Sequence, residues 1–138
     1  MEIYNTGLDA LADWTTDTYQ WILLTAGAFD RDHPTVTDVL GSATEATVTG
    51  YARVAASTKV RSVDDALDQV TYTAADPDFG TLDPGETVTA VVLVRVVTDD
   101  TDSIPIAWSD ITATDTDALD PFVINITDGV VAYMDQAA

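Results

Sequence analysis

Cysteine is absent from this chain, which excludes disulfide cross-links and thiolate metal sites. Histidine occurs once, at His33, so an imidazole cluster for zinc is excluded and a His-dependent nucleophile has only one possible base. Lysine also occurs once, at Lys59, alongside Arg31, Arg53, Arg61 and Arg95. So few cations exclude a nucleic-acid binder, because phosphates call for clustered Lys and Arg. The apolar runs, such as Trp21-Ile22-Leu23-Leu24 and Val91-Val92-Leu93-Val94, fall far short of the ~20 residues that span a bilayer. The opening Met1-Glu2-Ile3-Tyr4-Asn5 has no basic n-region and no apolar h-region, so no signal peptide is expected and synthesis in the cytoplasm is. Glycine-rich phosphate loops, a nucleophile elbow and a dinucleotide fingerprint are all missing.

Acid is abundant. The chain has 138 residues with 24 acidic against 5 basic side chains, for a net charge of -19. Only Glu2, Glu45 and Glu86 are glutamate; the rest are aspartate. Such a charge opposes the compact state in dilute buffer and is screened at molar salt, where the Debye length falls to roughly 3 Å. Many Asp and Thr with almost no Lys resemble the proteins of a salt-in halophile such as a haloarchaeon. Apolar residues make up 46% of the chain, enough for a real core, so global disorder is not expected. The length fits one domain, 1–138.

The pattern along the chain is mainly β. Residues 5–13 read as a short helix, with Asn5 or Thr6 as cap and Leu8, Leu11 and Ala12 on one face. Strands are expected over 18–25, 47–55, 59–63, 70–73, 87–98, 104–108, 121–125 and 130–134, with a helical turn over 35–41. The strand at 87–98 is apolar on both faces, which predicts a central place in a sheet. Pro105 marks the strand at 104–108 as an edge or an irregular start. Turn formers cluster in Asp76-Pro77-Asp78-Phe79-Gly80, Asp83-Pro84-Gly85-Glu86 and Thr127-Asp128-Gly129. About seven or eight short strands and one N-terminal helix predict an antiparallel β-sandwich or barrel.

Chemistry is harder to place. His33 lies in Asp30-Arg31-Asp32-His33-Pro34, a loop context in which a lone imidazole is solvated. Asp64-Asp65, Asp76 with Asp78, Asp99-Asp100-x-Asp102 and Asp115-x-Asp117 resemble fragments of calcium loops. None fits the twelve-residue loop with its Gly at position six and Glu at twelve. In so acidic a chain these spacings arise by chance, and the whole set reads first as solvated surface; carboxylate pairing for glycoside hydrolysis singles out no pair. Asn125-Ile126-Thr127 is a formal glycosylation sequon. No residue is assigned a catalytic or cofactor-binding role, and whether any Asp cluster holds a metal is left open. Together these point away from an enzyme and towards a structural or binding role.

The order of motifs resembles that of a family of small virion structural proteins of tailed phages. Its opening is matched by Tyr4-Asn5-Thr6-Gly7-Leu8-Asp9-Ala10-Leu11, Asp13-Trp14-Thr15-Thr16-Asp17-Thr18 and Trp21-Ile22-Leu23-Leu24-Thr25. Then come the loop from Phe29 to His33, the turn Val36-Thr37-Asp38-Val39, the motif Gly50-Tyr51-Ala52-Arg53, and Ala75-Asp76. A valine-rich strand, the stretch from Ile104 to Trp108, and Phe122, Ile124 and Gly129-Val130 complete it. The chain departs from the family at Asp68-Gln69-Val70-Thr71-Tyr72, where a second Asp and a Trp are usual.

With the salt signature, the resemblance implies a virion component of a tailed virus of haloarchaea, assembled in the host cytoplasm. The first expectation is a capsid accessory subunit (decoration, cement or turret) that contacts other virion proteins and copies of itself, with residues 1–4 as a contact arm. A tail or baseplate part is the alternative. A carbohydrate- or receptor-binding module is a third, and would use Trp14 beside Asp13 and Asp17, or Trp108 beside Asp110, as exposed aromatics.

Overall fold

The computed structural model describes residues 1–126 and 130–135, with only the backbone of Leu8 and of the last six. Two antiparallel sheets form a sandwich. The larger contains β1 (Glu2–Ile3), β2 (Tyr19–Ala26), β3 (Thr44–Glu45), β4 (Val54–Ala55), β7 (Thr87–Arg95) and β8 (Ile104–Asp115). Its order is β1-β8-β7-β2-β3, with β4 sharing the outer side of β2. The smaller has the order β5-β6-β9, from β5 (Val60–Asp64), β6 (Gln69–Thr73) and β9 (Val130–Asp135).

Alternation in the two central strands builds two cores on opposite faces of the large sheet. Trp21 and Leu23 of β2, with Val91 and Leu93 of β7, point towards the small sheet and meet Trp14, Val70 and Tyr72. Ile22, Leu24, Val92 and Val94 point the other way. There they meet Tyr4 and Trp108, and Val36 and Val39 of the helix α2 (Val36–Ser42). The doubly apolar pattern of β7 therefore has the cause expected of it: a layer packs on each side. A Thr35–Asp38 capping box starts α2, which continues through Gly41, one turn position further than expected.

The N-terminal helix is shorter than the sequence pattern. Only α1 (Gly7–Ala10) is helical, and Ala12 and Trp14 follow with three-residue turn bonds to Asp9 and Leu11. Asn5 gives its amide to Asp32 and the Thr6 hydroxyl is buried without a partner, so neither caps it. Ala12 is exposed, not on a shared face. Gly7 is required here: a Cβ would lie 2.5 Å from the Ile106 carbonyl oxygen of β8.

Residues 47–55 do not form the expected strand; only Val54–Ala55 pair with β2. The amides of Thr47 and Val48 turn to the Glu86 carboxylate instead of a ladder. Gly50 then takes a φ of +93°, with a Cβ position 2.5 Å from the Thr81 carbonyl oxygen. Residues 121–125 are also not a strand. Phe122 and Ile124 are buried, but their backbone bonds go to Gly80, Phe79 and Pro77, with a single bridge between Asp78 and Val123.

Two strands differ in length. β7 stops at Arg95, because the amide of Val97 is taken by the Ser103 hydroxyl. β8 runs on to Asp115, past the expected end at Trp108, through a half-exposed Thr- and Asp-rich stretch that hydropathy alone does not mark. Pro105 sits at a register shift near the start of β8, as its missing N–H requires. Residues 1–4 are not a free arm: Glu2 and Ile3 pair with Trp108 and Ala107, and Tyr4 is buried. The turn Thr127-Asp128-Gly129 lies outside the described residues, as does Thr127 of the sequon.

Candidate functional site

The candidate aromatics of a sugar-binding surface are core residues. Trp14 and Trp108 are both buried. The Trp14 indole N–H is shared between the carbonyls of Val60 and Thr73, and that of Trp108 goes to Asp110 Oδ1 at 2.8 Å. The Lys59 ammonium lies 5.7 Å above the Trp14 ring and 4.9 Å above Tyr19, and donates to the Asp17 carbonyl. Burial pushes the Tyr19 phenol up to about 12, and its hydroxyl donates to the Ala10 carbonyl. The binding-module reading thus loses the residues it depended on.

The acidic pairs mostly cap turns. Asp64 accepts from the amides of Ala66 and Leu67, Asp78 from Gly80, and Asp76 from Ile126. Asp99 accepts from Thr101, while Asp102 accepts from Thr98 and Asp99. Those backbone bonds hold the Asp102 carboxyl below its ordinary range. Asp115 takes the Thr87 hydroxyl. Among the described residues no three His, Asp or Glu side chains converge as a cation cage requires.

His33 does lie on a loop, with its Nε2 3.6 Å from Asp30 Oδ2. It borders an open hollow of about 600 Å³ with Glu2, Phe29 and Arg31, next to a second of about 400 Å³ along β1. Ser42 also lines this hollow, its hydroxyl donating to the Val39 carbonyl, and no serine or threonine hydroxyl hydrogen-bonds the imidazole among the described residues. Beneath lies Tyr4, its ring edge-on to Phe29 at 4.8 Å and its hydroxyl buried without a hydrogen-bond partner. Burial, then the charges of Asp30 and Glu2, raise its phenol well above the ordinary value. An unsatisfied buried hydroxyl is destabilising by about 1–3 kcal/mol. Tyr4→Phe is therefore expected to be neutral or to raise stability by about 1 kcal/mol, read from the urea midpoint. A loss of that size would mean that the hydroxyl has a partner.

Two of the three glutamates bind at a distance. Glu86 receives the Thr47 hydroxyl at 2.7 Å and the amides of Thr47 and Val48. Burial works to raise its pKa, but these bonds outweigh it and hold the carboxyl below its usual range. Glu45 meets Arg53 and Tyr51. Arg53 Nε and Nη2 reach the two Glu45 oxygens at 2.8 and 2.7 Å, and Nη1 and Nη2 reach Asp100 at 2.6 and 2.8 Å. Tyr51 donates to Glu45 at 2.8 Å and accepts from the Leu23 amide. The hydrogen bond to Arg53 holds Asp100 below the ordinary carboxylate range.

Both carboxyls have folded values below 4.5 for Glu and 3.8 for Asp, so their stabilisation is complete above those values and lost as pH falls through the folded ones. Glu86→Gln is expected to lose about 1–2 kcal/mol at pH 7. The gap from the native protein should begin to narrow as pH falls below about 4.5 and close only once pH is below the depressed folded value, when urea midpoints are followed against pH in molar salt.

Sequence reasoning did not identify the Arg53 knot or the Glu86 clamp. The signal was the rarity of glutamate: where aspartate serves every turn, the extra methylene marks a longer reach. It also gave no warning that β5 is exposed at all five positions. Val60, Val63 and Leu67, at 47%, 51% and 68% exposure, are three of the most exposed large apolar side chains among the described residues. β5 is an edge strand that projects past the core, whereas its hairpin partner β6 buries Val70 and Tyr72 in it.

No protein-family model, curated protein or solved structure matches this chain.

Proposed function

We propose that this chain is a non-enzymatic structural subunit of the virion of a tailed virus living at high salt. In the first place it is a capsid accessory subunit (decoration, cement or turret) working through protein–protein contacts. What supports the reading is the place of the residues that carry the family resemblance. Gly7 lets the N-terminal segment seat on β8. Asp38 closes the capping box. Gly50, Tyr51 and Arg53 turn the chain and knot it to Glu45 and Asp100. Trp14, Trp21 and Trp108 fill the cores. These residues hold a scaffold, and none brings a nucleophile to a base.

The test is to separate purified virions into heads and tails and to count copies of this chain by peptide mass spectrometry. Hundreds of copies on heads are expected of a decoration or cement protein, and a few dozen of turrets at vertices. A tail-only signal in small multiples of three or six would replace the capsid assignment with a tail or baseplate one. Absence from the particle would overturn the structural reading.

A further inference from the structure

We propose that β5 pairs antiparallel with β5 of a second copy, about a two-fold axis at Ser62, to join two small sheets into one. This deepens the assembly role proposed above and presupposes it. β5 is a short edge strand that bears Arg61 and Asp64 but lacks the other devices that ordinarily blunt an edge. It contains no proline, its register with β6 runs without a bulge from Val60 to Asp64, and no other strand among the described residues covers it. Both faces reach solvent, and Val60, Val63 and Leu67 concentrate exposed apolar surface in eight residues of an otherwise acidic exterior.

Charge selects the occupant. Arg61 stands near the start of the strand, with no ion pair among the described residues, Asp64 at its end and Asp65 in the turn just beyond. A strand positive at one end and negative at the other is complementary to itself when antiparallel and repels itself when parallel. In the antiparallel pairing centred on Ser62, Arg61 lies opposite Val63 of the other copy and diagonal to its Asp65, within reach of a long side chain. Val60 lies opposite Asp64. The two-fold axis makes each contact twice. The first four residues of β5 carry no acid, so the middle of the seam adds no like-charge contact between two copies of a chain of charge -19.

The absence of native cysteine allows a clean test. In the Ser62→Cys variant, the new thiols face each other across the axis, near the separation a disulfide needs. In molar salt the variant is expected to form a disulfide-linked dimer, while Val97→Cys, exposed elsewhere on the surface, stays largely unlinked. Arg61→Asp should raise the dimer dissociation constant in sedimentation about tenfold, through two cross-strand contacts per interface. Adding Asp65→Arg should restore it, an outcome that a merely structural role for Arg61 would not produce. Ser62→Cys linking no faster than Val97→Cys, or linking to a different virion protein, would overturn the pairing. The virion reading fails separately: a chain absent from particles but linked through Ser62→Cys removes the virion role and keeps the interface. A chain present in particles but unlinked does the reverse.

Discussion

Replacing Arg53 with alanine is expected to destabilise the protein by about 3 kcal/mol, a fall of roughly 10 °C in Tm for a chain of this size. Arg53 immediately precedes β4 and its guanidinium binds two carboxylates bidentately, a geometry that a point charge does not reproduce. The three side chains are only 25%, 22% and 37% exposed, for Arg53, Glu45 and Asp100. An exposed pair is worth about 0–1 kcal/mol and breaking a fully buried one costs about 3–5, so this knot falls between. Its reach pushes the value up. Through Tyr51 it ties to the Leu23 amide of β2, through Glu45 to β3, and through Asp100 to the turn whose carbonyl receives the Thr37 amide of α2. Removing the arginine leaves two carboxylates facing each other without a cation. Arg53→Lys should recover less than half of the loss, because one ammonium cannot serve four oxygens. A double-mutant cycle with Asp100→Asn, in molar salt to hold the global repulsion constant, should show a coupling of about 1–2 kcal/mol. A loss under about 1 kcal/mol for Arg53→Ala would mean that the knot is surface decoration.

The knot also shows where sequence reading stops. The central strands were legible because their signal is local: alternating valines in β7 and the apolar run of β2 needed only the period of a strand. What was not legible depended on partners far along the chain. Glu86 withdraws Thr47 and Val48 from any ladder across 39 and 38 residues, and Arg53 meets Asp100 across 47. Local pattern cannot register such a capture, so 47–55 read as a strand. The turn at 78 was readable as a turn, but the Asp spacings there and at 64, 99 and 102 also resembled ion ligands; only the direction of each carboxylate, back to a nearby amide, separates the two. The exposure of β5 was hidden for a different reason. The period of a strand does not say whether its faces are covered, and that depends on how the two sheets align.

The largest effect expected is of salt. Between 1 M and 0.1 M the Debye length grows from roughly 3 to 10 Å. For a charge of -19 smeared over a folded sphere of about 18 Å radius, against an unfolded coil of about 38 Å, that change disfavours the fold by about 6 kcal/mol. A natural domain holds only about 5–15 kcal/mol in total, so the term decides whether the chain is folded. The cations offer little relief: Arg53, Arg95 and Lys59 are already engaged with Glu45, Asp100 and Asp17. We expect the far-ultraviolet circular dichroism of the β fold to be complete at molar salt and largely lost near 0.1 M, reversibly. The shape of the curve identifies the cause. Screening is mostly spent by 1 M, whereas strengthening of apolar burial by excluded salts keeps growing beyond it. A gain concentrated below 1 M therefore assigns the dependence to charge, and a gain that begins only above 1 M assigns it to burial. A spectrum unchanged down to 0.1 M would end the halophilic reading and leave the acidic surface to be explained by something other than salt.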